Sequence, residues 1–115
     1  MTYVLIHNPA CSTSRKGLAL LEAQGVAPEL RKYMNVSERL SEDELRDIAK
    51  KLGGVSPREF MRAKDGPALG IDAQASDNEV FAAMAEHPKL IQRPIGIKGA
   101  RAAVGRPIEQ LLEIL

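Results

Sequence analysis

The chain has a single cysteine, Cys11, so an internal disulfide is excluded and any disulfide must involve a second molecule. Tryptophan is absent and there are only two phenylalanines and two tyrosines, which leaves Leu, Ile, Val, Ala and Met to build the core. A charge excess is missing as well. The 16 Lys and Arg residues against 15 Asp and Glu give a net +1, without the broad positive footprint that nucleic acid or an anionic membrane selects. No apolar run approaches the roughly 20 residues of a membrane span. Tyr3-Val4-Leu5-Ile6 passes at once into His7-Asn8-Pro9 and no basic leader precedes it, so the expected location is cytoplasmic. Two histidines eighty positions apart and one cysteine have no metal-ligand spacing, and no glycine-rich loop follows a strand. Neither a metal nor a bound nucleotide cofactor is expected.

What remains fits one soluble domain over residues 1–115, with 44% hydrophobic and 27% charged residues and enough length for a core without staples. Tyr3-Val4-Leu5-Ile6 reads as a buried strand ended by Asn8-Pro9. From Thr13 to Gln24 the spacing predicts a helix, with Leu18, Leu21, Ala19 and Leu20 as a broad apolar stripe. Ser12 or Thr13 is expected at its N-terminal cap and Gly25 at its C-terminal one. Glu29-Leu30-Arg31-Lys32-Tyr33 is a second, weaker strand.

Three helix starts in the middle use one device, a serine followed three positions on by glutamate: Ser41 with Glu44, Ser56 with Glu59, and Ser76 with Glu79. The first carries Leu45, Ile48, Ala49 and Leu52 and stops at Gly53-Gly54. The second has Pro57 in its first turn, and the third offers Val80, Phe81 and Met84 before His87-Pro88. Lys64 to Ala75, with two glycines and a proline, reads as a loop able to move over a site. After Pro94, Ile95 to Lys98 and Ala102 to Val104 form a hairpin around a short turn, and a last helix with Ile108, Leu111, Leu112 and Leu115 on its apolar face follows Gly105-Arg106-Pro107. The order β-α-β, helical insertion, β-β-α is that of an α/β, thioredoxin-like domain with a mixed four-stranded sheet.

Cys11 falls between the first strand and the first helix, where backbone N–H groups are free and the helix dipole is positive. With Arg15 and Lys16 in the first turn, this is a setting that favours thiolate over thiol. A free cysteine is otherwise a small buried apolar residue, a reading that suits a core position better than such a junction. Cys11-Ser12-Thr13-Ser14 is a Cys-x-x-Ser arrangement, one sulfur short of the dithiol motif. The Cys-x5-Arg loop of phosphatase-like enzymes is absent, since Gly17 stands where the arginine is required.

Three separated segments then carry a family likeness. His7-Asn8-Pro9-Ala10-Cys11-Ser12-Thr13-Ser14-Arg15, Leu90-Ile91-Gln92-Arg93-Pro94-Ile95 and Gly105-Arg106-Pro107, with Glu59-Phe60-Met61-Arg62 before the central loop, resemble the short form of the glutaredoxin-coupled arsenate reductase family. The resemblance implies that Cys11 is the nucleophile and that Arg62, Arg93 and Arg106 hold the oxyanion. It further implies that His7 and Ser14 help lower the thiol pKa, and that Pro94 is the cis-proline beside the active site. The implied reaction is reduction of arsenate or a similar oxyanion through a covalent Cys11 intermediate, with glutathione as co-substrate and glutaredoxin as partner. Two rival functions share the resemblance: a thiol oxidoreductase acting on another glutathionylated substrate, and a non-catalytic transcription regulator, a type that usually carries Cys-x-x-Cys where this chain has Ser14.

Overall fold

Alternate residues of Tyr3–Ile6, strand β1, enter different layers: Tyr3 and Leu5 join one buried cluster, and Ile6 joins the other with Val4 packed against it. A strand buried on both faces belongs in the middle of a sheet. In the computed structural model, which describes residues 1–115, it lies between Glu29–Arg31 (β2) and Ile95–Lys98 (β3), and Arg101–Val104 (β4) completes the order β2-β1-β3-β4. β2 runs parallel to β1 while β3 and β4 are antiparallel to their neighbours, which is the expected mixed sheet. β2 is shorter than its sequence pattern suggests and ends before Lys32 and Tyr33.

The register places the site. Ile6 pairs with Arg31 on one side and with Ile95 on the other, and Ile95 pairs with Val104. The chain after Ile6, the chain after Arg31, the chain before Ile95 and the chain after Val104 therefore all leave the sheet at the same end.

Helix α1, Ser12–Ala23, covers one face of the sheet with the final helix. It starts one residue earlier than expected, so Cys11 itself is the cap residue and no side chain caps the helix. Ser12 and Thr13 lie inside the first turn, out of position for the capping role expected of them. The C-terminus matches the expectation. Gly25, at φ +79°, donates to the Glu22 carbonyl and Val26 donates to that of Leu21, the paired bonds of a Schellman end. The buried stripe is Ser14, Gly17 and Leu21, whereas Ala19 is exposed. Gly17 is required there, because a Cβ would meet Leu111 Cδ1 at 2.9 Å and Pro94 Cγ at 3.0 Å. Gly105 approaches the same Pro94 Cγ, which a Cβ there would meet at 2.8 Å. The Arg93–Pro94 bond is cis as anticipated, and Arg106–Pro107 is cis too.

Glu42–Lys51 (α2) and Asp77–Glu86 (α3) cover the opposite face over the larger core cluster, and each has its full capping box. The third expected box does not form. Pro57–Phe60 is a single 3-10 turn in which the Ser56 hydroxyl accepts from Arg58 rather than from Glu59. The segment ends there because Met61 turns extended and bridges Ile91. Residues 63–65 and 67–69 of the expected loop form two further 3-10 turns. Ile108–Ile114, the last helix, is 3-10 throughout, and its period of three buries Leu111 and Ile114 with Ile108 half-buried. Leu115, placed on the apolar face by an α-helical reading, is 47% exposed. No helix is long and apolar enough to cross a membrane.

Candidate active site

Cys11 stands where β1 hands the chain to α1. Asn8 shapes that turn: its carbonyl accepts from the Cys11 N–H at 2.9 Å and its Oδ1 from the Ala10 N–H at 3.0 Å, after which the Cys11 carbonyl takes the first helical bond from Arg15. The thiol is half-buried beside the open N–H groups of the helix start.

Burial by itself pushes the Cys11 thiol up. Hydrogen-bonding interactions with the N–H groups of Ser14 and Thr13, the Ser14 hydroxyl and the Arg93 guanidinium outweigh it and bring the pKa down from its ordinary value to about 7. The lowering and the part played in it by the helix-start N–H groups and Ser14 agree with the expectation, whereas Arg93 takes the place expected of Arg15 and Lys16. Arg15 and Lys16 are exposed, and Arg15 turns back to donate to the Pro9 carbonyl at 2.8 Å. Ser14, fully buried, is held by the Asn8 N–H, which donates to its hydroxyl at 3.4 Å.

His7 is buried next to this turn, and its backbone N–H extends the ladder to the Arg31 carbonyl. Burial, with Lys32 and Arg15 nearby, lowers its pKa and so favours the neutral imidazole.

Arg93 is 7% exposed, and one of its terminal nitrogens donates to the carbonyls of Lys89 and Ile91 at 3.0 and 2.9 Å. Arg106 is exposed and its Nε donates to the Arg93 carbonyl at 3.0 Å, tying the two segments together. Arg62 arrives by another route. The Met61–Ile91 bridge, with the Arg62 N–H on the Leu90 carbonyl at 2.7 Å and the Gln92 N–H on that of Phe60 at 2.8 Å, lays residues 60–62 against 90–92. Its side chain is half-buried with Nε 3.7 Å from Asp65. Burial pushes the Tyr33 phenol up, and Arg93, Cys11 and Arg62 are the charged groups that act on it. Cys11 lines neither surface cavity. The larger, about 480 Å³, borders this region through Gln92 and Arg106.

A half-buried thiol of lowered pKa, a helix start and forked cationic donors thus lie at one sheet end, a chemistry that suits a nucleophile beside a small anion. The model of the ArsC family matches residues 6–114. The chain belongs to the ArsC family. It is 46% identical over 114 residues to the arsenate reductase of Neisseria meningitidis serogroup A, covering 96% of each chain. With the arsenate reductase of Haemophilus influenzae it shares 46% identity over 118 residues and the whole of both chains. Among solved structures, arsenate reductase from Vibrio cholerae superposes with a TM-score of 0.86 at 49% identity, over 100% of this chain and 98% of that one. The ArsC membership and the thioredoxin-like sheet agree with the resemblance read from the three motifs.

Tyr33, a strand end by its sequence pattern, lies fully buried at this same end of the sheet. The signal available was the strand pattern itself: a parallel β2 ending at Arg31 beside Ile6 carries Tyr33 toward His7 and Cys11. That follows only once the register is known.

The thiol titration is the direct test of this geometry. Thiolate absorbance against pH should show a midpoint near 7 for the wild type, with Cys11 alkylation slowing about tenfold per unit below it. Ser14→Ala should raise the midpoint. A wild-type midpoint at the free-thiol value of about 8.5 would contradict the donor set described above.

Proposed function

We propose that this ArsC-family protein reduces arsenate to arsenite through Cys11, with glutathione and glutaredoxin supplying the second thiol. The observation that carries the reading is the placement of the one thiol, lowered to about 7, against Arg93 at the start of α1. Thiolate is therefore present at neutral pH next to the donors that would hold a tetrahedral oxyanion. The names of the meningococcal and Haemophilus relatives support arsenate as that oxyanion.

The electron count requires a partner. Cys11 thiolate attacks arsenic, a sulfur–arsenic bond forms, and one arsenate oxygen leaves as water once protonated. A glutathione thiolate then attacks the Cys11 sulfur. The sulfur–arsenic bond breaks with its electron pair staying on arsenic, which leaves as arsenite, and a Cys11–glutathione disulfide forms. Two sulfurs have each lost one electron and arsenic has gained two. A glutaredoxin thiol attacks the glutathione sulfur and returns Cys11 as thiolate, an ordinary thiol–disulfide exchange.

In this reaction Arg93 and Arg62 neutralise the oxyanion from the core side and Arg106 closes the exposed side. Ser14 serves the nucleophile by donating toward sulfur, and His7 supports the turn as a buried neutral residue. The deciding assay couples purified protein, glutathione and glutaredoxin to NADPH oxidation through glutathione reductase, with arsenate or a glutathionylated peptide as substrate. Arsenate-dependent oxidation is expected. Turnover of the peptide with no response to arsenate would replace this reading with a general glutathione-linked oxidoreductase.

A further inference from the structure

Three buried side-chain polar atoms have no hydrogen-bond partner in the fold: His7 Nδ1, Tyr33 Oη and Arg93 Nε. All three lie at the sheet end that carries Cys11. Folded interiors leave few such atoms unpaired, and a cluster of them around a thiol and two guanidinium groups marks a place completed by something other than the chain itself. Tyr33 is the member of this cluster that the reaction above does not use. Its ring is fully buried in the larger core cluster with Ile6, Phe60 and Ile91, so its position is set by packing. Its hydroxyl is buried without a partner at the sheet end of Cys11 and Arg93, and Arg93, Cys11 and Arg62 are the charged groups that act on it. Two of those neighbours are guanidinium groups, which donate and never accept, and no sulfur stands within hydrogen-bonding reach. What the phenol lacks is an acceptor.

We propose that Tyr33 is a further substrate-contacting residue, whose hydroxyl donates a hydrogen bond to an oxygen of the tetrahedral oxyanion held between Cys11, Arg62 and Arg93. The inference rests on the oxyanion reading given above and deepens it. Burial, the largest influence on Tyr33, pushes its pKa up to about 12 against the pull of Arg93, so the phenol keeps its proton at every physiological pH and acts only as a donor toward an anion. A neutral donor fixed in the core adds to the arginines a contact whose direction is set before the oxyanion arrives.

The test is Tyr33→Phe, which keeps the ring and removes only the hydroxyl. Wild type and variant are titrated calorimetrically with arsenate in the absence of glutathione, so that no turnover occurs. The variant should bind arsenate roughly ten- to a hundredfold more weakly, the scale of one hydrogen bond to a charged group. Without arsenate its melting temperature should be unchanged or higher, since an unpaired buried hydroxyl has gone, and the Cys11 titration midpoint should stay in place. Equal arsenate affinity in the two proteins would overturn the inference and leave an ordered water as the partner of Tyr33. A lower melting temperature in the ligand-free variant would also overturn it, by giving the hydroxyl a structural role. So would unchanged arsenate affinity with a moved thiol midpoint. Failure of the wild type itself to bind arsenate would instead remove the oxyanion reading, and this inference with it.

Discussion

Cys11→Ser protein is expected to reduce no arsenate above the uncatalysed background, a loss of several orders of magnitude, and to form no glutathione adduct. A serine hydroxyl in the same place meets the same N–H groups and the same Arg93, but it is not ionised at neutral pH and cannot pass between thiol and disulfide. Because Cys11 is the only cysteine, the wild-type protein has a single place for a mixed disulfide. Mass spectrometry of wild type treated with arsenate and glutathione should find one added glutathione at Cys11, and glutaredoxin should remove it. The substitution changes one atom at a half-buried position, so the melting temperature should move little. Arsenate reduction by Cys11→Ser at the wild-type rate would refute the thiol mechanism outright, whatever the fold.

The second large effect is expected at Arg93. Arg93→Lys keeps the charge, yet kcat/KM for arsenate should fall roughly 10²–10³-fold, the range seen when one fixed donor to a developing oxyanion is lost. The buried guanidinium spends one nitrogen on the carbonyls of Lys89 and Ile91 and still has others to turn toward Cys11. An ammonium is a point charge on a flexible stem and cannot serve both sides at once. The Cys11 midpoint should rise as well, since one of the donors that lower it is displaced. The companion Arg62→Lys should lose less, about tenfold, because Arg62 is half-buried and shared with Asp65. Melting curves separate loss of function from loss of fold. Wild-type arsenate kinetics in a stable Arg93→Lys protein would remove Arg93 from substrate binding.

Much of this site could be read along the chain because its parts are local signals. A β-rich run ending in Asn-Pro, a cysteine at the next helix start, and arginines beside Pro94 and Pro107 each carry their structural meaning within a few residues. The capping boxes at Ser41 and Ser76 succeeded for the same reason, since cap and glutamate lie within one turn. Ser56 carried the same signal and failed, because the pairing of Met61 with Ile91 claims the chain after Phe60 before a helix can extend. That contact spans thirty positions, and no local pattern contains it.

The sequence alone therefore determined the strand and helix order and the place of the one thiol at a helix start, with no second thiol in the chain to pair with it, since the first depends on short-range periodicity and the last on counting sulfurs. Tertiary structure decided which groups act on that thiol. Arg15 and Lys16 are its neighbours in sequence, but helix geometry turns them outward, while the register brings Arg93 to it from across the sheet. The same register carries Tyr33 to the site from the end of a three-residue strand, and the bridge at Met61 carries Arg62. Pairing partners are chosen by the burial of whole faces, a property of the assembled layers rather than of any segment within them.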